Sequence, residues 1–81
     1  MADKNITPLG VGVKESIKAV KRGKVSKIYI AADAEERVLS PLIALAEEES
    51  LVVEKVGTMK DLGKLVGIDV GAAAVAFGSE I

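Results

Sequence analysis

The sequence predicts a single α/β domain over residues 1–81, a three-layer α/β/α sandwich around a small mixed sheet of about four strands. Candidate strands and helices alternate along the chain without an internal repeat. Residues 28–30 form a continuous apolar run, which is typical of a strand covered on both faces. The chain has one Tyr, one Phe and no Trp, so its core must be built from Val, Ile, Leu and Ala.

The first third of the chain predicts two strands with a helix between them. Leu9 and Val11 indicate a short edge strand after a polar start. Val13, Ile17 and Val20 have the i, i+4, i+7 spacing of an amphipathic helix, which ends at Gly23. The apolar run that follows predicts a strand over residues 27–32.

Helix signals compete in the segment after this strand. Asp33 can cap a helical turn, and Glu36 can complete a capping box with it. Pro41 interrupts a single long helix, because a proline inside a helix removes a backbone donor. We therefore expect Ser40 as N-cap and Pro41 as first residue of the main helix, which runs to Glu49.

The last third predicts a strand, a helix, a loop and a closing strand. Residues 51–56 form the strand, and a helix with an apolar side begins after Gly57-Thr58 and ends at Gly67. Alanine favours helix in residues 72–77, but Val75, Phe77 and the flanking glycines favour a buried strand.

Composition excludes several classes of protein. The absence of Cys and His removes the usual zinc ligands and the usual nucleophile–base pairs, so we expect neither an enzyme nor a cofactor. The chain has no apolar run of about 18 residues and no secretory signal, which predicts a cytoplasmic protein without a membrane partner. The scarcity of aromatic residues argues against RNA binders that stack bases on a sheet face.

Charge is segregated along the chain. Residues 1–30 carry a formal charge of +5, and the remainder carries −6. Such asymmetry indicates a nucleic-acid or membrane partner.

The first predicted helix has the features of an anion-binding site. Gly10 and Gly12 precede it, and backbone N–H groups at a helix start favour phosphate. Rotation by about 100° per residue places basic side chains on one stripe, with Glu15 and Arg22 just beyond it; the stripe consists of Lys14, Lys18 and Lys21. For a basic stripe alone, a solvated face is the more common explanation, but an acceptor among donors favours a site that reads base edges.

Three other motifs do not indicate a catalytic, nucleotide or metal site. The glycines near Lys14 fit neither the P-loop nor the dinucleotide-binding pattern, which argues against a nucleotide site. Asp33, Glu35 and Glu36 could form an acid/base pair, but helix capping explains Asp33 and Glu36 without catalysis. The carboxylates of residues 47–49 are expected to be a solvated helix end.

The loop over residues 67–71 contains apolar side chains where polar ones are usual. Ile68 and Val70 can either fold back into the core or form a small apolar surface that packs on an unstacked base.

These two segments together resemble the kink-turn RNA-binding family of large-subunit ribosomal protein L-seven-Ae, most closely its short bacterial members. The resemblance covers nearly the whole chain. It is carried by residues 12–18, Gly-Val-Lys-Glu-Ser-Ile-Lys, against the family's Gly-Thr-Asn-Glu-x-x-Lys, and by Lys21-Arg22-Gly23. The second motif runs from Leu62-Gly63 through Gly67-Ile68-Asp69-Val70-Gly71 to Ala76.

The resemblance implies which residues meet RNA. Glu15 would accept hydrogen bonds from a guanine of tandem sheared G·A pairs, and Lys18 would donate to a guanine oxygen or hold Glu15 in place. Gly12 and the amides after it would approach the backbone, with Val13 and Lys14 in place of the family's Thr and Asn. Lys21 and Arg22 would contact phosphates. The loop residues Ile68, Asp69 and Val70 would lie against an extruded nucleotide.

Three hypotheses follow. The first is a monomeric protein that captures RNA containing a kink-turn, with the ribosome as a candidate partner. The second is a ribosome-associated or scaffold protein that uses the same fold for protein contacts and has only weak, non-specific RNA affinity. The third, a small enzyme or nucleotide-binding domain, lacks a catalytic constellation and rests only on the versatility of α/β folds.

Overall fold

Four strands and three helices alternate along residues 6–79, the part of the chain that this computed structural model describes. The strands are β1 (Ile6–Val11), β2 (Val25–Ile30), β3 (Val52–Lys55) and β4 (Ala74–Ser79). The helices are α1 (Val13–Arg22), α2 (Glu36–Glu48) and α3 (Met59–Leu65). This order confirms the predicted α/β alternation.

The strands form one mixed sheet in the order β1-β4-β2-β3. β4 is antiparallel to both of its neighbours, whereas β2 and β3 are parallel. The last strand of the chain is therefore central, and its residues Ala74, Val75 and Ala76 are fully buried. The prediction of a buried closing strand is confirmed, since pairing on both sides outweighs the helix propensity of alanine.

The helices cover both faces of the sheet. Side chains from α1 and α2 pack with Ile28, Ile30, Ala74 and Ala76 on one face. Leu62 of α3 packs with Val75 and Phe77 on the other. Successive residues of β4 point to opposite faces, which produces the predicted three layers.

The main helix begins earlier than the sequence indicated. α2 starts at Glu36, so the expected start at Ser40 and Pro41 is wrong, and Pro41 lies inside the helix. The buried residues Leu39, Leu42 and Ala46 form one apolar stripe that spans the proline. Because Pro41 is exposed, water can reach the carbonyl that its missing N–H leaves free.

The predicted capping box of Asp33 and Glu36 is also wrong. Glu35 occupies the N-cap position of α2, and no side chain caps this helix. Asp33 instead accepts a 2.8 Å hydrogen bond from the backbone N–H of Met59, at the start of α3. The strand before it also ends earlier than predicted, at Ile30, because the next two amides bond to Ala73 and Gly57 outside the strand pairing.

α3 has a capping box of its own. The Thr58 hydroxyl accepts from the Asp61 N–H and the Asp61 carboxylate accepts from the Thr58 N–H, both at 3.1 Å. These bonds to Thr58 lower the pKa of Asp61 from its ordinary value. No helix within residues 6–79 has the length and apolar character needed to cross a membrane.

Candidate nucleic-acid interface

One edge of the sheet brings together the two segments that the sequence singled out. The register pairs Val11 with Val75, and it pairs Ile30 with both Ala74 and Lys55. Thus the ends of β1, β2 and β3 meet the start of β4 there. We call this end of the strands the α1 edge, because α1 begins there, directly after β1. The chain that follows the 67–71 loop also enters β4 at this end.

Hydrogen bonds join the connections at the α1 edge. The Gly12 N–H, at the start of α1, donates to the Ala74 carbonyl at 2.7 Å. The Ala31 N–H donates to the Ala73 carbonyl at 2.9 Å, so the β2–α2 turn meets the same segment. The start of α1 is therefore adjacent to the end of the apolar loop.

The start of α1 presents backbone donors. Gly12 is its N-cap residue with φ of 96°, a conformation that side chains with a Cβ rarely adopt, and no side chain caps the helix. The first helical bond runs from the Ser16 N–H to the Gly12 carbonyl at 2.9 Å. The three amides before Ser16 lie outside the helical pattern, as at any uncapped helix start, and favour an anion.

Close packing of β1 fixes the direction of α1. A Cβ at Gly10 would overlap the Glu15 carbonyl, so only glycine lets the strand come this near to the helix. The buried Ser16 hydroxyl donates to the Gly10 carbonyl at 3.3 Å. Val13 is half-buried against the α1/α2 core, so it can offer a ligand its amide rather than its side chain.

The polar face of α1 carries the predicted charges. The Lys18 Nζ lies 3.7 Å from a Glu15 carboxylate oxygen, and these side chains are 63% and 54% exposed. Lys14 is exposed beside them. Lys21 and Arg22 are exposed at the far end, with Lys21 about 10 Å along the axis from Lys14. The structure thus brings Gly12, Lys14, Glu15 and Lys18 to the α1 edge and leaves Lys21 and Arg22 two turns away.

The apolar loop presents one large side chain to solvent. Val70 is 69% exposed, and Asp69 beside it is exposed as well. Ile68 is half-buried against the core that contains Leu62 and Phe77, so its fold-back into the core is confirmed in part. A Cβ at Gly63 would overlap the Val70 carbonyl, and a Cβ at Gly71 would lie 3.1 Å from the Met59 Cβ. These approaches hold the loop against α3.

The family of the chain follows from its sequence. A profile of the ribosomal protein L7Ae/L30e/S12e/Gadd45 family matches residues 2–80. The chain belongs to this family. An RNA-binding protein of Caldanaerobacter subterraneus subsp. tengcongensis is 47% identical over 66 residues, which cover 82% of this chain and 80% of that protein. An RNA-binding protein of Halalkalibacterium halodurans is 44% identical over 70 residues, or 86% and 85% of the two chains.

Solved structures share the fold of this L7Ae-family chain. The Giardia lamblia 15.5kD RNA binding protein superposes with a TM-score of 0.78 at 26% identity, over 95% of this chain. This chain spans 62% of the length of the Giardia protein. A protein of unknown function from Bacillus halodurans C also gives a TM-score of 0.78, at 19% identity, over 95% of this chain and 74% of that one.

The β2–α2 turn is a part of the L7Ae-family α1 edge that sequence reasoning did not assign to the site. Its Ala31 and Ala32 amides bond to Ala73 and Gly57, and Asp33 caps α3 at Met59. Since Asp33 and Met59 are 26 residues apart, no local pattern relates them. Only the parallel pairing of β2 and β3, which brings their ends together, could have indicated this contact.

Proposed function

We propose that this L7Ae-family chain is a non-enzymatic RNA-binding protein that recognises kink-turns, using the start of α1 and the 67–71 loop together. The observation that carries the proposal is the 2.7 Å bond between the Gly12 N–H and the Ala74 carbonyl, which makes the two segments neighbours. The names of the Caldanaerobacter and Giardia proteins support RNA as the ligand. We further propose that the chain acts as a cytoplasmic monomer, with the ribosome as a candidate partner.

In this proposal α1 reads the tandem sheared G·A pairs. The carboxylate of Glu15 accepts from a guanine edge, since an ionised carboxylate can only accept. Lys18, 3.7 Å from Glu15, holds that carboxylate and donates to a guanine oxygen. Lys14 supplies a second donor, and the amides that follow Gly12 meet the backbone.

The loop holds the extruded nucleotide. Val70 is the exposed apolar side chain of the loop, and Ile68 anchors the loop by packing against the core. Packing of α3 against this segment keeps Val70 in place before a base arrives. Binding then stabilises the bent form of the RNA at the expense of its extended form.

The proposal is tested by binding to two matched RNA duplexes, one with the tandem sheared G·A pairs of a kink-turn and one with Watson–Crick pairs at those positions. We expect saturable binding with a clear preference for the first duplex, measured by calorimetry at fixed salt. Equal affinity for both duplexes would contradict specific recognition and favour a scaffold with weak, non-specific RNA affinity.

Lys21 contributes attraction rather than sequence reading in this proposal. Its replacement by alanine should weaken binding to both duplexes by a similar factor, and should reduce the slope of log affinity against log salt by about one unit. A salt titration of each duplex measures both effects. A loss confined to the kink-turn duplex in Lys21→Ala would instead assign Lys21 to base reading.

A further inference from the structure

A concave surface lies at the end of α1 that is farther from the α1 edge. It has a volume of about 320 Å³ and is lined by Leu9, Ala19, Arg22 and Lys24. Leu9 comes from β1, Ala19 and Arg22 from α1, and Lys24 from the turn between α1 and β2.

Backbone packing holds the wall formed by Lys24. Gly23 ends α1 in the left-handed conformation, with φ of 89°, and its N–H donates to the Val20 carbonyl at 3.0 Å. A Cβ at Gly78 of β4 would overlap the Lys24 carbonyl and lie 2.6 Å from the Leu9 side chain. Glycine at position 78 thus lets both the Lys24 turn and the Leu9 side chain lie close to β4.

The lining combines two cations with an apolar floor. Arg22 and Lys24 are exposed, Leu9 is half-buried and Ala19 is buried. Among the described side chains no carboxylate lines the pocket, and the ion pair of α1 joins Glu15 to Lys18 rather than to either of these cations. The guanidinium of Arg22 can donate two parallel hydrogen bonds to phosphate oxygens, and the Leu9 side chain can pack on the carbons of a ribose.

The pocket and the proposed base-reading residue Glu15 lie along the same face of α1. Arg22 is seven residues beyond Glu15, which is about two helical turns, so the two side chains share a face about 10 Å apart along the axis. A duplex that leaves the α1 edge along this face passes Arg22 after about three base pairs.

We propose that the pocket at Arg22 and Lys24 binds a phosphate and its ribose from one of the two stems that flank the kink. The protein would then contact a stem as well as the bend. This proposal rests on the proposed kink-turn function. It adds Leu9 and Lys24, which no sequence motif marked, to the residues that meet RNA, and Ala19 forms the buried floor of the pocket.

The test uses kink-turn RNAs that differ only in the length of one flanking stem. One stem ends before Arg22 and the other extends past Lys24, about two and about eight base pairs. Each of the two stems is extended in turn. We expect the wild-type protein to bind one of the long RNAs roughly fivefold more tightly than the short RNA.

Lys24→Ala should reduce this gain with stem length to less than about twofold. Lys64→Ala, which removes an exposed cation from α3 on the other face of the sheet, should keep the full gain. If the wild-type protein prefers the short kink-turn RNA over its Watson–Crick counterpart but shows no gain for either stem, or if Lys24→Ala retains the gain, the pocket proposal is wrong. If the wild-type protein shows no preference for the short kink-turn RNA, the proposed function itself is wrong.

Discussion

Glu15→Ala should abolish the preference for sheared G·A pairs, at a cost of about 1–3 kcal/mol in binding free energy for the kink-turn duplex. Glu15 is the acceptor on a helix face that otherwise carries cations, and its side chain is 54% exposed, so a base edge can reach the carboxylate beside Lys18. Affinity for the Watson–Crick duplex should be unchanged or slightly higher, because the substitution makes the face more positive. Titration of both duplexes at one salt concentration measures the difference.

Two matched variants separate base reading from charge. Glu49→Ala removes an equal charge from the exposed end of α2 and should leave the preference intact. Glu15→Gln keeps the shape but replaces one acceptor oxygen by a donor, so its preference should lie between those of wild type and Glu15→Ala. An unchanged preference in Glu15→Ala would show that the carboxylate does not read the guanine.

Gly63→Ala should destabilise the fold by about 3 kcal/mol. Alanine is favoured over glycine in a helix by about 1 kcal/mol, so propensity alone predicts stabilisation. The added Cβ would overlap the Val70 carbonyl, a backbone atom that cannot move without displacing the 67–71 loop. Overpacking therefore outweighs propensity, and chemical denaturation followed by circular dichroism measures the change in the free energy of unfolding.

Under the proposed function, the displaced loop should also weaken RNA binding, because Val70 would be moved from the position proposed to contact the extruded nucleotide. Leu65→Ala is the control from the same helix; its side chain is 59% exposed, and the substitution should change stability by less than about 1 kcal/mol. A stabilised Gly63→Ala variant would mean that α3 and the loop are not in close contact.

The fold was predictable where the apolar periodicity was long and the boundaries were glycines. The spacing of Val13, Ile17 and Val20 predicts α1, and Gly23 ends it in the expected conformation. A buried strand was predictable over residues 72–77 because Val75 and Phe77 outweigh the alanines, and the structure has it two residues later, at Ala74–Ser79. In each case the local signal and the tertiary packing agree.

The start of α2 was not predictable because two local rules pointed to the wrong residue. Pro41 is favoured at the first position of a helix, yet here the apolar stripe from Leu39 to Ala46 extends the helix across it. Asp33 has the residue type and spacing of an N-cap, but the chain fold brings it to Met59 of another helix. Burial and topology decide both cases, and neither can be obtained from a window of ten residues.

The sequence named candidate site residues but did not predict how they are arranged. The sequence left open whether Ile68 and Val70 are buried or exposed, and the structure gives a different answer for each. That difference depends on the approach of the Val70 backbone to Gly63, which joins a loop to a helix. Whether Glu15, Lys18 and Val70 meet RNA remains a prediction.

The hydrogen bonds along the α1 edge affect which partner loses more conformational entropy when the protein binds RNA. Gly12 to Ala74, Ala31 to Ala73, Ala32 to Gly57 and Met59 to Asp33 connect all four segments that meet there. A surface held in this way is preorganised, so binding has few protein dihedral angles left to order. Under the proposed function, the ordering cost then falls on the RNA that must bend, and the flexibility of the RNA rather than that of the protein backbone should set the affinity differences between kink-turns.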